Sequence, residues 1–408
     1  MGSKFRLSQL SYGWIIVAIS ALAILLVSSA RSAFTLFITP MEGDLGWDRA
    51  TISGVAALNL AVYGVMQPLA GRMTARFGAK SVMIGGVVFV AAGFGALSWT
   101  TSVWYLAVFY GVVFGIGISF ASFVPTSVLV ARWFDRRQGT AQGIVAAARP
   151  AGQTIGVPMV ATLILLLGWR ETYLAVGVIT ALSIPLILWL VREHPLADES
   201  VATPDSTGGS AVTLRVAAGT FTFWALIGGF FACGFTDQFV AIHLVPFAEG
   251  EEISSIAAAN SFAVLSAAGV LGSIALGWTS DALGRKHALA LVYGLRVLSF
   301  PLLLVVADNG NLVLLYIFAL VFGLTFIANM APTAGIIRER YGVASTGIIM
   351  GWLLLTHQLG GAAGTYLGGL LYGLVGSYAL TFIIMAAMAL AGTVLSLFIK
   401  EQNRHLTP

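Results

Sequence analysis

The sequence predicts an all-α integral membrane protein with twelve transmembrane helices in two pseudo-symmetric six-helix bundles. Three observations carry that prediction. The chain of 408 residues is 58% hydrophobic and only 9% charged, against about 25% charged in an ordinary soluble domain. Twelve apolar runs are long enough to cross a hydrocarbon core of about 30 Å. Features of the first half also recur in the second at nearly constant spacing.

In the first half the runs are Gly13 to Phe37, Ile52 to Ala70, Val82 to Trp99, Trp104 to Val130, Gly143 to Leu167 and Tyr173 to Leu190. In the second they are Phe221 to Pro246, Ile256 to Leu276, Ala288 to Val306, Leu312 to Ile336, Ile348 to Val375 and Ala379 to Ile399. Between the halves lies R-E-H-P-L-A-D-E-S-V-A-T-P-D-S-T-G-G-S-A-V-T-L, a polar stretch rich in Pro, Gly and acidic residues. It reads as a flexible linker. The organisation is therefore an N-terminal bundle over 1–191, a cytoplasmic linker over 192–214 and a C-terminal bundle over 215–408.

The repeat is specific. G-R-M-T-A-R-F-G-A-K from Gly71 to Lys80 answers to G-W-T-S-D-A-L-G-R-K from Gly277 to Lys286, an offset of 206 residues. The same offset pairs Pro40 with Pro246, and upstream of each proline an ionisable side chain interrupts an apolar run, Arg31 in one half and Asp237 in the other. An offset of 208 pairs Gly143, Gly152 and Gly156 with Gly351, Gly360 and Gly364, and sets Arg149 opposite His357. Two related membrane halves with matched ionisable groups are the plan of many secondary transporters.

The basic residues set the orientation, because basic loops resist translocation. With the N-terminus inside, only Arg49 and Arg170 of the 21 Lys and Arg fall on the outer side, while Arg31, Arg149 and Arg296 fall within helices. The chain is expected in the cell (inner) membrane, multi-pass, with both termini cytoplasmic. Its net charge of +4 is spread over loops, which argues against a nucleic-acid partner. The first run is too long for a signal-peptide core and is expected to remain as a helix. The single cysteine, Cys233, excludes an intramolecular disulfide and is expected to serve packing. Glycines at four-residue spacing, such as Gly111 and Gly115, read as small faces where helix backbones meet.

These features resemble the major facilitator superfamily over essentially the whole chain. The loop with Gly277, Asp281, Gly284, Arg285 and Lys286 matches that family's loop motif fully. The first copy keeps Arg72 and Arg76 but has Ala75 where the acidic residue is usual. The resemblance implies that Gly277, Asp281, Arg285, Arg72 and Arg76 form a clasp on the cytoplasmic side, weakened in the first half. Within the superfamily the chain is similar to monocarboxylate transporters and oxalate/formate exchangers. The resembling pieces are Tyr12-Gly13-Trp14, Leu45-Gly46-Trp47, the segment from Arg132 to Gly143, and Gly376-Ser377-Tyr378. Arg31 falls where monocarboxylate transporters carry a helix 1 lysine used in substrate and proton handling. Ser273 stands where both relatives carry a substrate-binding arginine, and Val157 interrupts the glycine/proline motif of drug/proton antiporters.

A charge at the bilayer centre costs at least about 2.5 kcal/mol, so such groups face the bundle interior, a partner or water. By the resemblance, Arg31, Asp237, Arg149 and His357 all reach a central cavity, and matched depth makes partners of Arg31 with Asp237 and of Arg149 with His357. Arg149 is read as an anion-binding fork, the other reading being a structural contact near a break at Pro150. His357 and Asp237 are the proton-coupling candidates, against a fixed salt bridge for Asp237 and a neutral, hydrogen-bonded imidazole for His357. Asn329 and Tyr63 join Arg149, Arg31 and His357 as substrate-binding candidates, Tyr63 sharing one face of helix 2 with Asn59 and Gln67. Arg296, without a counterpart in the first half, is read as structural, and His243 as interfacial. Pro125 and Pro332 are read as bending points on helices 4 and 10.

The function expected is secondary transport of a small organic anion, a monocarboxylate, by alternating access with proton symport. Exchange or export without net proton movement, and a transporter-like solute receptor, are the alternatives. The protein is expected to be a monomer whose partners are the anion, protons and the lipid bilayer, with no cofactor and no metal. With no metal-ligand spacing, phosphate-cradling loop or nucleophile with its base in the sequence, it is not read as an enzyme.

Overall fold

The computed structural model describes residues 2–47, 49–134, 137–193 and 212–400, and every regular element among them is helical. The linker's residues 194–211 lie outside the described ones. The first half holds α1 (Gly2–Leu45), α2 (Arg49–Phe77), α3 (Ala79–Ala96), a fourth span in pieces, α7 (Gln138–Leu167) and α8 (Trp169–Leu190). The pieces are α4 (Val103–Leu106), a π-helical stretch Ala107–Phe114, α5 (Gly115–Phe120) and α6 (Phe123–Trp133). A short α9 (Leu214–Ala218) leads into the second half. There α10 (Phe221–Gly250), α11 (Ser255–Leu283) and α12 (Arg285–Asn309) precede a tenth span divided into α13 (Leu312–Thr325) and α14 (Met330–Tyr341), and α15 (Val343–Val375) and α16 (Ala379–Leu397) follow.

Among the described residues, eleven of these spans are long and apolar enough to cross a membrane. The remaining long helix, α15, is 33 residues but carries Thr356, His357 and Gln358 at its centre. Large apolar side chains are left outside on many helices, with Leu165 at 87%, Trp104 at 82% and Trp189 at 83% exposure. Such a surface is at home against lipid rather than water.

The two interrupted spans follow from two prolines. A proline inside a helix offers no N–H and its ring collides with the carbonyl four residues earlier. Those carbonyls belong to Ala121 for Pro125 and Ala328 for Pro332, and the breaks lie there, at Ala121–Ser122 and Phe326–Asn329. Ser122 restarts α6 by accepting the Val124 N–H at 3.2 Å. In the other break Ile327 adopts φ +64, a left-handed conformation that a β-branched side chain rarely tolerates. The break expected at Pro150 is not found: α7 runs on through Pro150 and Pro158. Thr154 Oγ1 donates there to the Pro150 carbonyl at 3.0 Å.

The chain divides into two compact units, one of Met1–Asp135, Ala148–Ser210 and Thr346–Gly351, the other of Arg136–Ala147, Ala211–Ser345 and Trp352–Pro408. The start of α7 thus groups with the second unit, and Thr346–Gly351 of α15 with the first. The first unit is built on stacked aromatic rings, Phe34 on Tyr110 at 3.6 Å and Phe37 on Tyr173 at 3.8 Å. In the second unit, Phe300, Phe318 and Phe322 fill the space between α12 and α13.

Candidate functional site

In the first unit, Ser29 Oγ donates to the Gly152 carbonyl at 2.9 Å. A Cβ on Gly152 would run into the backbone of Leu25, so only glycine lets α7 lie this close to α1. That approach puts Arg31 of α1 and Arg149 of α7 near enough for their charges to repel. Arg31 sits over the ring of Tyr63 at 4.6 Å, a cation–π contact. Both arginines are half-buried, and neither has a carboxylate partner among the described residues. The face of α2 that carries Tyr63 is buried, as its spacing predicts. Asn59 Nδ2 donates to the Tyr110 carbonyl at 2.7 Å, and Gln67 Oε1 accepts from Ser122 Oγ at 3.2 Å. These two bonds tie α2 to the broken fourth span.

In the second unit, Asp237 of α10 is the centre of a buried network. Its Oδ1 pairs with Arg296 Nη1 of α12 at 2.9 Å. Its Oδ2 accepts from the Cys233 thiol at 3.2 Å and faces His357 Nε2 of α15 at 3.5 Å. Arg296 also donates to Thr236 Oγ1 at 2.8 Å, Thr325 Oγ1 at 3.1 Å and the Thr325 carbonyl at 2.9 Å. The last carbonyl is at the point where α13 loses helical geometry, so the guanidinium meets an acceptor the break leaves open. Asn329 closes that break, buried beside Tyr293, with no well-formed hydrogen bond to either side-chain atom among the described residues.

His357 is held where α15 crosses α10 closely: a Cβ on Gly234 would strike the His357 carbonyl. Its Nδ1 faces Gln358 Oε1 at 3.1 Å and its Nε2 faces the Asp237 carboxylate. Two acceptors around one ring suit an imidazolium that donates from both nitrogens. Turning the Gln358 amide over, which would bring its otherwise unpartnered Nε2 to the ring, suits the neutral form instead. The pocket therefore accommodates either protonation state.

Two expectations are corrected here. The partners of Asp237 are Arg296 and His357, within its own unit, so the pairings of Arg31 with Asp237 and Arg149 with His357 give way to a local network. Arg296, read as structural, is the countercharge of that buried carboxylate. Its signal was available: Asp237 and Arg296 are the only oppositely charged residues within the apolar runs of the second half. Cys233 likewise does more than pack. Cys233, Asp237 and His357 present donor atoms within 4.8 Å of one another, of types that bind transition metals. With Arg296 already neutralising the carboxylate, a hydrogen-bonded network suits them better than a cation. His243 is fixed by the Tyr378 hydroxyl at 3.0 Å and the Thr365 carbonyl at 3.1 Å.

At one end of the second unit Asp281 accepts from the amides of Gly139 at 2.8 Å and Thr140 at 2.7 Å, and from Thr140 Oγ1 at 2.9 Å. A carboxylate at the start of α7 satisfies orphan N–H groups and complements the helix dipole. Arg285 Nη1 binds the same carboxylate at 2.7 Å, and its Nε reaches Glu339 at 3.2 Å. Gly277 lies on Gly139, where a Cβ on either would collide with the other's carbonyl. In the first unit Gly71 packs on Gly347 in the same way, but Ala75 offers no acceptor. Arg72 is exposed and Arg76 lies over the Phe77 ring at 5.1 Å.

Twelve long spans, a repeated glycine loop and a carboxylate bound at a helix start agree with comparison to known proteins. The model of the Major Facilitator Superfamily matches residues 20–365 and 253–408. The chain belongs to this superfamily. As a superfamily member it is a transporter rather than an enzyme, with twelve helices in two bundles. It is 28% identical to the uncharacterized MFS-type transporter YcxA of Bacillus subtilis (strain 168), covering 90% of each chain. It is 25% identical to monocarboxylate transporter 13 of Rattus norvegicus, over 94% of this chain and 87% of the relative. With the oxalate:formate antiporter of Oxalobacter formigenes it shares 23% identity over 76% of this chain and 73% of the relative. In fold it is similar to the superfamily proton:xylose symporter XylE, with a TM-score of 0.71, 16% identity and 96% of each chain covered.

Proposed function

We propose that this superfamily member carries a small organic anion of the monocarboxylate class across the cell (inner) membrane by alternating access, with proton symport. One observation supports the anion above all: Arg31 and Arg149 are half-buried in one unit, repel each other and have no carboxylate partner among the described residues. Holding two such cations together costs free energy that a bound carboxylate returns, through the planar fork of the guanidinium. Tyr63 orients Arg31 through its ring, and Asn329, buried in the second unit, is kept as a candidate on its sequence position.

Proton coupling rests on the network of Asp237. With Arg296 paired to Asp237 and a neutral His357, the cluster carries no net charge. Protonation of His357 makes it positive, which favours an anion in the same protein. The organisation proposed with this reading is a monomer with bundles over 1–191 and 215–408, a cytoplasmic linker over 192–214 and both termini inside. The clasp of Gly277, Asp281 and Arg285, with Arg72 and Arg76 as its weaker counterpart, holds one of the alternating states.

The test is uptake of labelled lactate, pyruvate, formate and oxalate into proteoliposomes, with and without an inward proton gradient. Gradient-driven accumulation of a monocarboxylate is the expected result. Accumulation that needs a second anion inside and ignores the gradient establishes exchange instead, the reading that the likeness to an oxalate:formate antiporter favours. Binding of a carboxylate with no flux in any direction leaves a solute receptor.

A further inference from the structure

Three helix ends of the second unit border an open cavity of about 560 Å³ lined by Phe221, Thr222, Arg340, Phe398 and Lys400. Phe221 opens α10, Arg340 stands in the last turn of α14, and Phe398 and Lys400 follow α16. Both cations line the cavity, and among the described residues no acidic side chain does. Glu339, next to Arg340 in sequence, is turned to Arg285. Arg340 has its Nε buried without a hydrogen-bond partner among the described residues, and its Nη1 makes only a long contact of 3.4 Å to the Lys400 carbonyl. Thr220 caps α10 through the Phe223 N–H. The amides of Phe221 and Thr222 have no carbonyl of the helix to bond. Anion donors thus come from two side chains and a helix start.

The apolar part of the cavity says which anion. Phe221 and Phe398 are 55% and 67% exposed, and Trp224, one turn along α10, is 58% exposed. Trp224 Nε1 donates to the Ala218 carbonyl at 2.8 Å, an aromatic ring fixed by its polar tip as rings are at a membrane surface. A soluble phosphate has no use for two exposed phenylalanine rings. A lipid has, because its acyl chains leave the headgroup in their direction.

We propose that this cavity binds the phosphate headgroup of an anionic phospholipid, held by Arg340 and Lys400, with the acyl chains against Phe221 and Phe398. The basic loops place this end in the cytoplasmic leaflet, where basic pockets between helix ends take acidic lipids. The site is independent of the transported substrate.

The test uses the full-length protein in neutral detergent, titrated with phosphatidylglycerol, with phosphatidylcholine and with glycerol phosphate, and read by native mass spectrometry and by thermal midpoint. Phosphatidylglycerol is expected to bind roughly tenfold tighter than phosphatidylcholine, and the double variant R340Q/K400Q to lose about that factor. Phe398→Ala is expected to weaken the lipid and leave glycerol phosphate unchanged. Equal binding of the two lipids by the parent protein overturns the proposal whatever the variants do. So does glycerol phosphate matching phosphatidylglycerol, which would make the cavity a free-phosphate site, or full lipid affinity in a folded R340Q/K400Q.

Discussion

Arg296 joins two events in the second unit: it pairs with Asp237 at 2.9 Å and donates at 2.9 Å to the Thr325 carbonyl where the tenth span breaks. The charge state of the carboxylate and the geometry of the break therefore share one guanidinium. Anything that loosens the ion pair, a proton above all, also frees the residue that steadies the bend. Under the symport proposed above, this shared guanidinium is a route from proton binding to helix movement that needs no contact with substrate.

The first prediction concerns that pair. Arg296→Met removes the countercharge of a carboxylate that is 4% exposed. Breaking a buried pair from one side costs about 3–5 kcal/mol, whereas removing both charges often costs little. The single variant is expected to lower the thermal midpoint in detergent sharply, and R296M/D237N to recover most of it. A double variant as unstable as the single would show that the packing of Arg296, not its charge, holds the helices.

Arg149 separates anion binding from folding. Arg149→Gln is expected to abolish uptake of a carboxylate without lowering expression or the thermal midpoint, since no carboxylate partner is left behind. Arg149→Lys is expected to recover only part of the uptake because an ammonium lacks the fork. Initial rates in proteoliposomes measure both, and full transport by Arg149→Gln would move the anion to Arg31.

The clasp yields a stability prediction. Asp281→Ala removes a cap from the start of α7 and one of the two carboxylate partners of Arg285. Loss of an N-cap costs about 1 kcal/mol, so the midpoint is expected to fall modestly. Gly277→Val is expected to be worse, because the valine collides with the Gly139 backbone. Comparing the two midpoints distinguishes a clasp held by hydrogen bonds from one held by close backbone approach.

How much of this was legible in the sequence depends on which physics decided it. Span length and apolar content placed the helices, because membrane thickness is a strict ruler. Pro125 and Pro332 announced two of the breaks, since the clash with the carbonyl four residues back is local. Pro150 misled for the same reason: whether a helix kinks or continues depends on neighbours the sequence does not display. Arg31, Asp237, Arg149 and His357 stood out by the rarity of ionisable groups in apolar runs. Their partners did not, because repeat symmetry matches positions between halves, whereas ion pairing follows distance. Asp237 on α10 pairs with Arg296 on α12, which has no symmetry mate in the first half to mark it. The π-helical stretch at Ala107–Phe114 left no mark in composition.

Coupling is the last prediction. Substrate binding and protonation of a group in the same protein favour each other if an anion and a proton are carried together, and the effect is reciprocal. Apparent affinity for the carboxylate is then expected to improve as external pH falls from about 8 to 6. His357 is surrounded by Asp237, Gln358 and, through the carboxylate, Arg296 and Cys233. His357→Gln keeps a hydrogen-bonding side chain and removes the titration, so it is expected to flatten the pH dependence if the ring carries the proton. Asp237→Asn flattens it if the carboxylate does. Substrate quenching of intrinsic Trp fluorescence across that range, on the parent and both variants, tells the two apart. A parent protein whose affinity ignores pH would remove symport and leave exchange or facilitated diffusion.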